Sequence, residues 1–224
     1  MTAFRLAREM GADFVETDLR MTRDGHMVAM HDATVKRTTN GRGRVSRMTL
    51  AQLQQLDAGG RFRARGWRGF AGERVPTIEE ILHLAKDQKI RLYLELKSKR
   101  PRGMEVALAE VLRKSGHMRR IVVISFDAKM LARMRRAEPK VAIELLTRRI
   151  SRASLNKVLM LGGTQILPRR SGLSAKSIAL AHDAGLRVVA WTADKTRHMK
   201  QLIRAGVDGI VTNYPDRLNA ALSK

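Results

Sequence analysis

Hydrophobic positions along this chain switch between two periods. Spacing near 3.6 residues predicts helices, and alternation or short apolar runs predict strands. Residues 2–10 carry a helical pattern and residues 13–20 a strand. An Asp-Gly turn at 24–25 followed by a second extended run at 27–30 predicts a hairpin, so the segment ending at His31 doubles back on the strand before it. From residue 77 the alternation is regular. Helices are expected over 77–86, 104–114, 128–137, 155–161, 175–184, 196–205 and 215–222. Strands are expected over 91–97, 121–126, 141–146, 165–167, 187–192 and 209–212. Gly185 and Gly206 follow their helices where a C′ glycine belongs, and Pro76 is expected at the start of the 77–86 helix.

Residues 40–76 break the rhythm. They are rich in Gly and Arg and hold one short helical pattern, 49–56, opened by Thr49 as a cap. This segment is expected to be an excursion from a single domain spanning residues 1–224. Repeated strand–helix units imply a parallel sheet covered by helices, either doubly wound or closed as a TIM (β/α)8 barrel. No Gly-rich phosphate loop follows a strand, which argues against a Rossmann-type or P-loop site. With the hairpin arm set aside, seven barrel-type strands remain. The expected fold is a TIM barrel whose first strand is missing from the chain as written.

Composition narrows the chemistry. The chain of 224 residues is 44% hydrophobic, enough for a full-sized core. No apolar run approaches the ~20 residues of a membrane span. It has no cysteine, which removes disulfides, thiol nucleophiles and cysteine-bound zinc, and fits a cytoplasmic setting. The formal charge is +23, a field that attracts phosphates, nucleic acid and acidic lipid. The cations are spread along the chain, and only 4% of residues are aromatic, which disfavours a stacking platform for single strands.

Four charged residues stand out. Glu16 and Asp18 are two apart on a strand and so share a face; Glu95 and Lys97 repeat that spacing on another. Taken singly, each pair could be surface charge or an internal ion pair. Together, at strand ends, three carboxylates and a lysine suit a hard cation with oxygen ligands, Mg²⁺ or Ca²⁺. His31 closes the hairpin arm beside them and could act as a general acid or base. The other histidines (His26, His83, His117, His182, His198) are expected to be structural or simply exposed.

These residues lie in motifs that resemble the glycerophosphodiester phosphodiesterase family. Residues 11–19 read Gly-Ala-Asp-Phe-Val-Glu-Thr-Asp-Leu, similar to that family's G-A-D-x-x-E-x-D segment. In order follow Thr-Arg-Asp-Gly at 22–25, Met-His-Asp at 30–32, Lys-Arg-Thr-Thr-Asn-Gly-Arg-Gly at 36–43 and Leu-Asp-Ala-Gly at 56–59. Val-Pro-Thr at 75–77, Leu-Glu-Leu-Lys at 94–97, Ser-Phe at 125–126, Trp-Thr at 191–192, Gly-Val-Asp-Gly at 206–209 and Thr-Asn-Tyr-Pro at 212–215 complete the series. The resemblance covers essentially the whole chain. It implies that Glu16, Asp18 and Glu95 bind a divalent cation, that His31 is one of two catalytic histidines, that Lys97 contacts phosphate and that Trp191 lines the pocket beside glycerol. The implied reaction cleaves a small-molecule glycerophosphodiester to glycerol 3-phosphate and an alcohol.

The family pattern opens with a strand ending in His-Arg-Gly and then Glu-Asn-Thr, and neither occurs in this sequence. The other histidine and a phosphate-binding arginine are therefore expected to be absent from the chain as written. Two other classes of function stay open: a binding module that keeps the phosphate pocket without turnover, and a basic protein that contacts nucleic acid or anionic membrane.

Overall fold

The computed structural model describes residues 1–62, 69–97 and 103–223. Residues 63–68 of the expected 40–76 excursion lie outside them. The chain divides into two compact units, Met1–Leu6 with Phe14–Ile121 and Ala7–Asp13 with Val122–Lys224.

In the first unit, strand β1 (Phe14–Met21) does two jobs. Its first six residues pair in parallel with β3 (Arg91–Leu96), from Phe14↔Arg91 through Asp18↔Glu95 to Leu19↔Leu96. Its end runs on into an antiparallel hairpin with β2 (Met27–Ala29), Leu19 facing Ala29. The turn between them is built by its own side chains. Thr22 donates to the Asp24 carboxylate at 2.6 Å and accepts from the His26 N–H at 2.9 Å. Asp24 in turn accepts from the Leu50 N–H at 3.1 Å, tying the turn to the start of helix α2 (Leu50–Gln54).

Helix α2 belongs to the 40–76 excursion. Val45, Leu53 and Val75 pack there with Val28, Met30 and Val35 into a small apolar cluster of its own. Thr49 caps α2 as expected, in a reciprocal box with Gln52. Helix α3 (Ile78–Asp87) has the same device, with Thr77 bonded to the Glu80 N–H and Glu80 reaching back. Thr77 thus occupies the cap, and the helix begins at Ile78, one residue later than the sequence suggested, with Pro76 just before the cap. The hydroxyl supplies the acceptor that the free N–H groups of the first turn require. β3 is buried along its whole length after Arg91, the signature of a parallel strand covered on both faces. Helix α4 (Met104–Ser115) follows it.

The second unit repeats strand and helix: β4 (Ile121–Ser125), α5 (Ala128–Ala137), β5 (Ala142–Thr147), α6 (Arg152–Met160), β6 (Gln165–Pro168), α7 (Ala175–Asp183), β7 (Arg187–Ala190), α8 (Thr196–Arg204), β8 (Gly209–Ile210) and α9 (Pro215–Leu222). Each strand from β4 to β8 pairs in parallel with the next. Helix α1 (Thr2–Glu9) opens the chain. Among the described residues this gives seven parallel strands and one antiparallel arm, the count read from the sequence. Some boundaries shift by two or three residues, as at α2, which ends at Gln54 and not at Leu56. The helix expected at 155–161 starts three residues earlier, because Ser151 caps it. The strands expected at 187–192 and 209–212 end at Ala190 and Ile210. No described helix is long and apolar enough to cross a membrane.

Candidate active site

Strand period two and the β1–β3 register build the site together. Phe14, Glu16, Asp18 and Arg20 project from one face of β1, and Arg91, Tyr93 and Glu95 from the same face of β3. The lower end of that face is aromatic, with the Phe14 and Tyr93 rings 4.8 Å apart and the Arg91 guanidinium 4.2 Å above Phe14. The upper end is ionic. Glu16, Asp18 and Glu95 bring one oxygen each to within 4.8 Å of one another. Lys97, just past the end of β3, reaches Asp18 at 3.2 Å and Glu95 at 3.4 Å. All these side chains are largely shielded; that of Glu95 is 9% exposed.

Three carboxylates and one ammonium leave two negative charges when all are ionised, in a setting that penalises charge. Burial, then repulsion from Asp18 and Glu95, pushes the Glu16 carboxyl up to about 8, against the pull of Lys97. Burial raises Glu95 to about 7; Lys97 opposes this and Asp18 adds to it. The donor set fits a hard dication. Metal–oxygen bonds of ~2.0–2.6 Å place ligand oxygens up to ~4–5 Å apart, the spread seen here, and two positive charges cancel the excess. Among the described residues this is the cluster with metal-ligand geometry.

His31 is not part of that cluster. It lies just past β2, where the Met30 N–H bonds the Asp18 carbonyl at 2.9 Å. The His31 Nδ1 lies 2.7 Å from Asp32 Oδ1, and its side chain is 60% exposed. Arg37 donates to both Asp32 oxygens, at 2.6 and 3.1 Å. Those bonds from Arg37, with the bond from His31, hold the Asp32 carboxyl far below the usual carboxylate range. An ionised Asp32 keeps the shared proton on Nδ1, so Nε2 is the nitrogen left to accept or deliver a proton.

Arg20 is a participant that sequence reasoning missed. It continues the Glu16–Asp18 face by one more step of two, which was the available signal. Its guanidinium grips the His31 carbonyl through Nε at 3.1 Å and Nη2 at 2.7 Å. Trp191 stands at the end of β7, in the second unit. Its indole N–H donates to the Leu167 carbonyl at 2.8 Å, and its ring meets Phe126 edge-on at 5.5 Å. The remaining histidines are held structurally or lie at the surface. His117 is buried with Nε2 3.0 Å from the Ile90 carbonyl, His182 pairs with Asp208 and His83 with Asp87.

Several family-like motifs prove to be scaffolding. Asp57 accepts from the Gly59 and Gly60 N–H groups at 2.8 Å each. Asp208 accepts from the Val188 N–H at 2.7 Å. Asp194 is bound by the Asn213 N–H and side chain and by the Thr212 hydroxyl.

Carboxylates and a lysine gathered at the C-terminal ends of neighbouring parallel strands are the arrangement of a (β/α)-barrel enzyme. Comparison with known proteins narrows that class. Residues 1–217 match the glycerophosphoryl diester phosphodiesterase family. A glycerophosphodiester phosphodiesterase of Caldanaerobacter subterraneus is 34% identical, over 97% of this chain and 89% of its own length. One from Bacillus subtilis is 31% identical, over 96% and 78%. The solved structure of an Oleispira antarctica phosphodiesterase, in complex with the product sn-glycerol-3-phosphate, superposes with a TM-score of 0.86 at 26% identity, covering 98% of this chain and 88% of that one. The chain therefore belongs to the glycerophosphoryl diester phosphodiesterase family, a family of TIM-barrel phosphoric diester hydrolases.

Proposed function

We propose that the chain hydrolyses glycerophosphodiesters to glycerol 3-phosphate and an alcohol with the help of a divalent cation held by Glu16, Asp18 and Glu95. The observation that carries this reading is the three-carboxylate cluster within 4.8 Å, flanked by Lys97. The product bound to the Oleispira antarctica relative supports the substrate class.

A bound Mg²⁺ or Ca²⁺ there supplies positive charge that offsets the growing charge on the phosphoryl oxygens and eases ionisation of the attacking oxygen. The protein's own groups do the rest. Lys97 turns from its carboxylate partners toward a non-bridging phosphate oxygen. In net hydrolysis water adds one P–O bond, the P–O bond to the alcohol breaks, and the alcohol oxygen takes a proton. His31 is the group that delivers that proton from Nε2, and Asp32 steadies the resulting change of charge. General acid help of this kind contributes about 10²–10⁴-fold.

The test is release of glycerol 3-phosphate from glycerophosphocholine and glycerophosphoethanolamine with Mg²⁺, Ca²⁺ or EDTA. It is run on the chain as given and on one extended through in-frame upstream codons. Turnover that needs metal and is abolished by Glu95→Ala is expected. Turnover in EDTA, or unchanged turnover in Glu95→Ala, would refute the assignment. Metal-dependent binding of glycerol 3-phosphate with no turnover in either chain would favour a binding module.

A further inference from the structure

Beyond the end of β2 the chain leaves its ladder. Met30 is the last residue of the arm whose backbone bonds β1, its N–H on the Asp18 carbonyl at 2.9 Å. The next main-chain bonds are those of Ala33 with Val45 and of Val35 with Gly43, both at 3.1 Å. His31 and Asp32 lie between, and among the described residues no backbone N–H reaches the His31 carbonyl. Backbone polar groups need partners, so a residue in such a gap takes its position from side chains.

Arg20 fills the gap. It follows Asp18 by two on β1, so the two side chains leave the strand on one face. Its Nε and Nη2 converge on the His31 carbonyl oxygen, at 3.1 and 2.7 Å. Charge-assisted bonds of this kind are about twice as strong as neutral ones. The surroundings suit the guanidinium: burial works against its charge, the carboxylates of Asp18, Asp32 and Glu95 favour it, and Arg44 opposes it. A second arginine acts at the other end of the same residue. Arg37 holds Asp32, and Asp32 holds the imidazole at Nδ1. One guanidinium therefore fixes where the histidine is rooted, and the other, through Asp32, which way its ring faces.

We propose that Arg20 is a positioning residue of the hydrolysis. It holds the His31 main chain on the carboxylate face of β1, so that the proton donor keeps a fixed place relative to Glu16, Asp18 and Glu95. The inference rests on His31 as the proton donor of the proposed reaction, and Arg20 acts through His31 without touching the substrate. Such placement matters because a shift of about 1 Å in a reacting group can cost about 10²-fold in rate. A lysine at position 20 keeps the charge but brings one nitrogen where the guanidinium brings two, so it cannot reproduce the hold.

The experiment isolates the proton donor by the choice of leaving group. p-Nitrophenolate departs without a proton, whereas an alkoxide needs one. Arg20→Lys should lower kcat for glycerophosphoethanolamine at least about tenfold more than kcat for the p-nitrophenyl ester of glycerol 3-phosphate. Added to His31→Ala, the same change should cost less than about threefold further, since the group it positions is gone. The Kd for Mg²⁺, read by calorimetry, should move less than about threefold in Arg20→Lys because the charge is kept; a larger change would place the effect at the carboxylates and count against the inference. Arg20→Met removes every donor and should act in the same direction, more strongly. A readout without turnover accompanies these. The ¹⁵N order parameter of the His31 amide should lie near about 0.85 in the wild type, like that of Ala29 in β2, and drop below about 0.6 in Arg20→Met while Ala29 keeps its value. Equal losses on the two esters, or an unchanged His31 order parameter, would overturn the inference. If neither ester turns over, the proposed hydrolysis fails by itself, and the order parameter still decides whether Arg20 fixes His31.

Discussion

Glu16 and Glu95 compete for one lysine in a buried setting, and the result is a proton balance that a cation must upset. Both carboxyls titrate in the folded chain well above the ordinary 4.5, at about 8 and about 7. The folded state therefore holds more protons than the unfolded state between those values and 4.5. Stability without metal should fall as pH rises through that window, and saturating Mg²⁺ should remove most of the fall. Thermal melts from about pH 5 to about pH 8, with and without EDTA, check this. The same competition makes metal affinity pH-dependent: the apparent Kd for Mg²⁺ should tighten about tenfold or more between about pH 6 and about pH 8. A flat affinity profile would mean the carboxyls are already ionised in the free site. At this scale the sequence was informative where period two applies. It could show that Glu16 and Asp18 share a face, but not that Asp18 stands opposite Glu95. That depends on the β1–β3 register, and so does the reach of Lys97 to both.

Helices and strands draw much of their definition from side chains that sequence motifs conceal. Thr77 caps α3 at the point where the chain leaves the small excursion core, and its removal leaves N–H groups unbonded. Thr77→Ala should cost about 1 kcal/mol in denaturant unfolding. Glu144, buried on β5, accepts from the Thr164 N–H at 3.0 Å and the Gln165 N–H at 2.9 Å, and burial raises its pKa. Glu144→Leu strands these donors and should destabilise by at least about 2 kcal/mol, with metal affinity in the first unit unaltered. Element types were legible from period alone, and boundaries less so. The first turn of α6 (Arg152, Ala153, Ser154) has no apolar signal, and its cap pairs serine with serine in place of the more recognisable Ser-x-x-Glu. The Leu-Asp-Ala-Gly motif could not announce its role either. Gly59 is required because a Cβ there would lie 1.7 Å from the Phe70 carbonyl, a long-range contact invisible in the local sequence.

Across the whole chain the charge of +23 is the dominant physical fact. Every glycerophosphodiester carries an anionic phosphate, and where the alcohol is uncharged the whole molecule is an anion whose encounter is assisted at low ionic strength and screened as salt rises. For an ester of an uncharged alcohol, such as glycerophosphoglycerol, kcat/KM should fall several-fold between about 50 and about 200 mM salt, and much less for zwitterionic glycerophosphocholine; equal slopes would argue against long-range attraction by the net charge. Charge count and strand–helix alternation were plain in the sequence. The meeting of the loops after β5, β6 and β7 was not, because residues 147, 169, 170 and 191 become neighbours only once the strands pair.

The residues proposed for bond cleavage all fall in one stretch of the gene. Glu16, Asp18, His31, Glu95 and Lys97 belong to the first compact unit. Inherited change after codon 122 therefore leaves each of these groups as it stands, and the two halves of the gene are open to different selection.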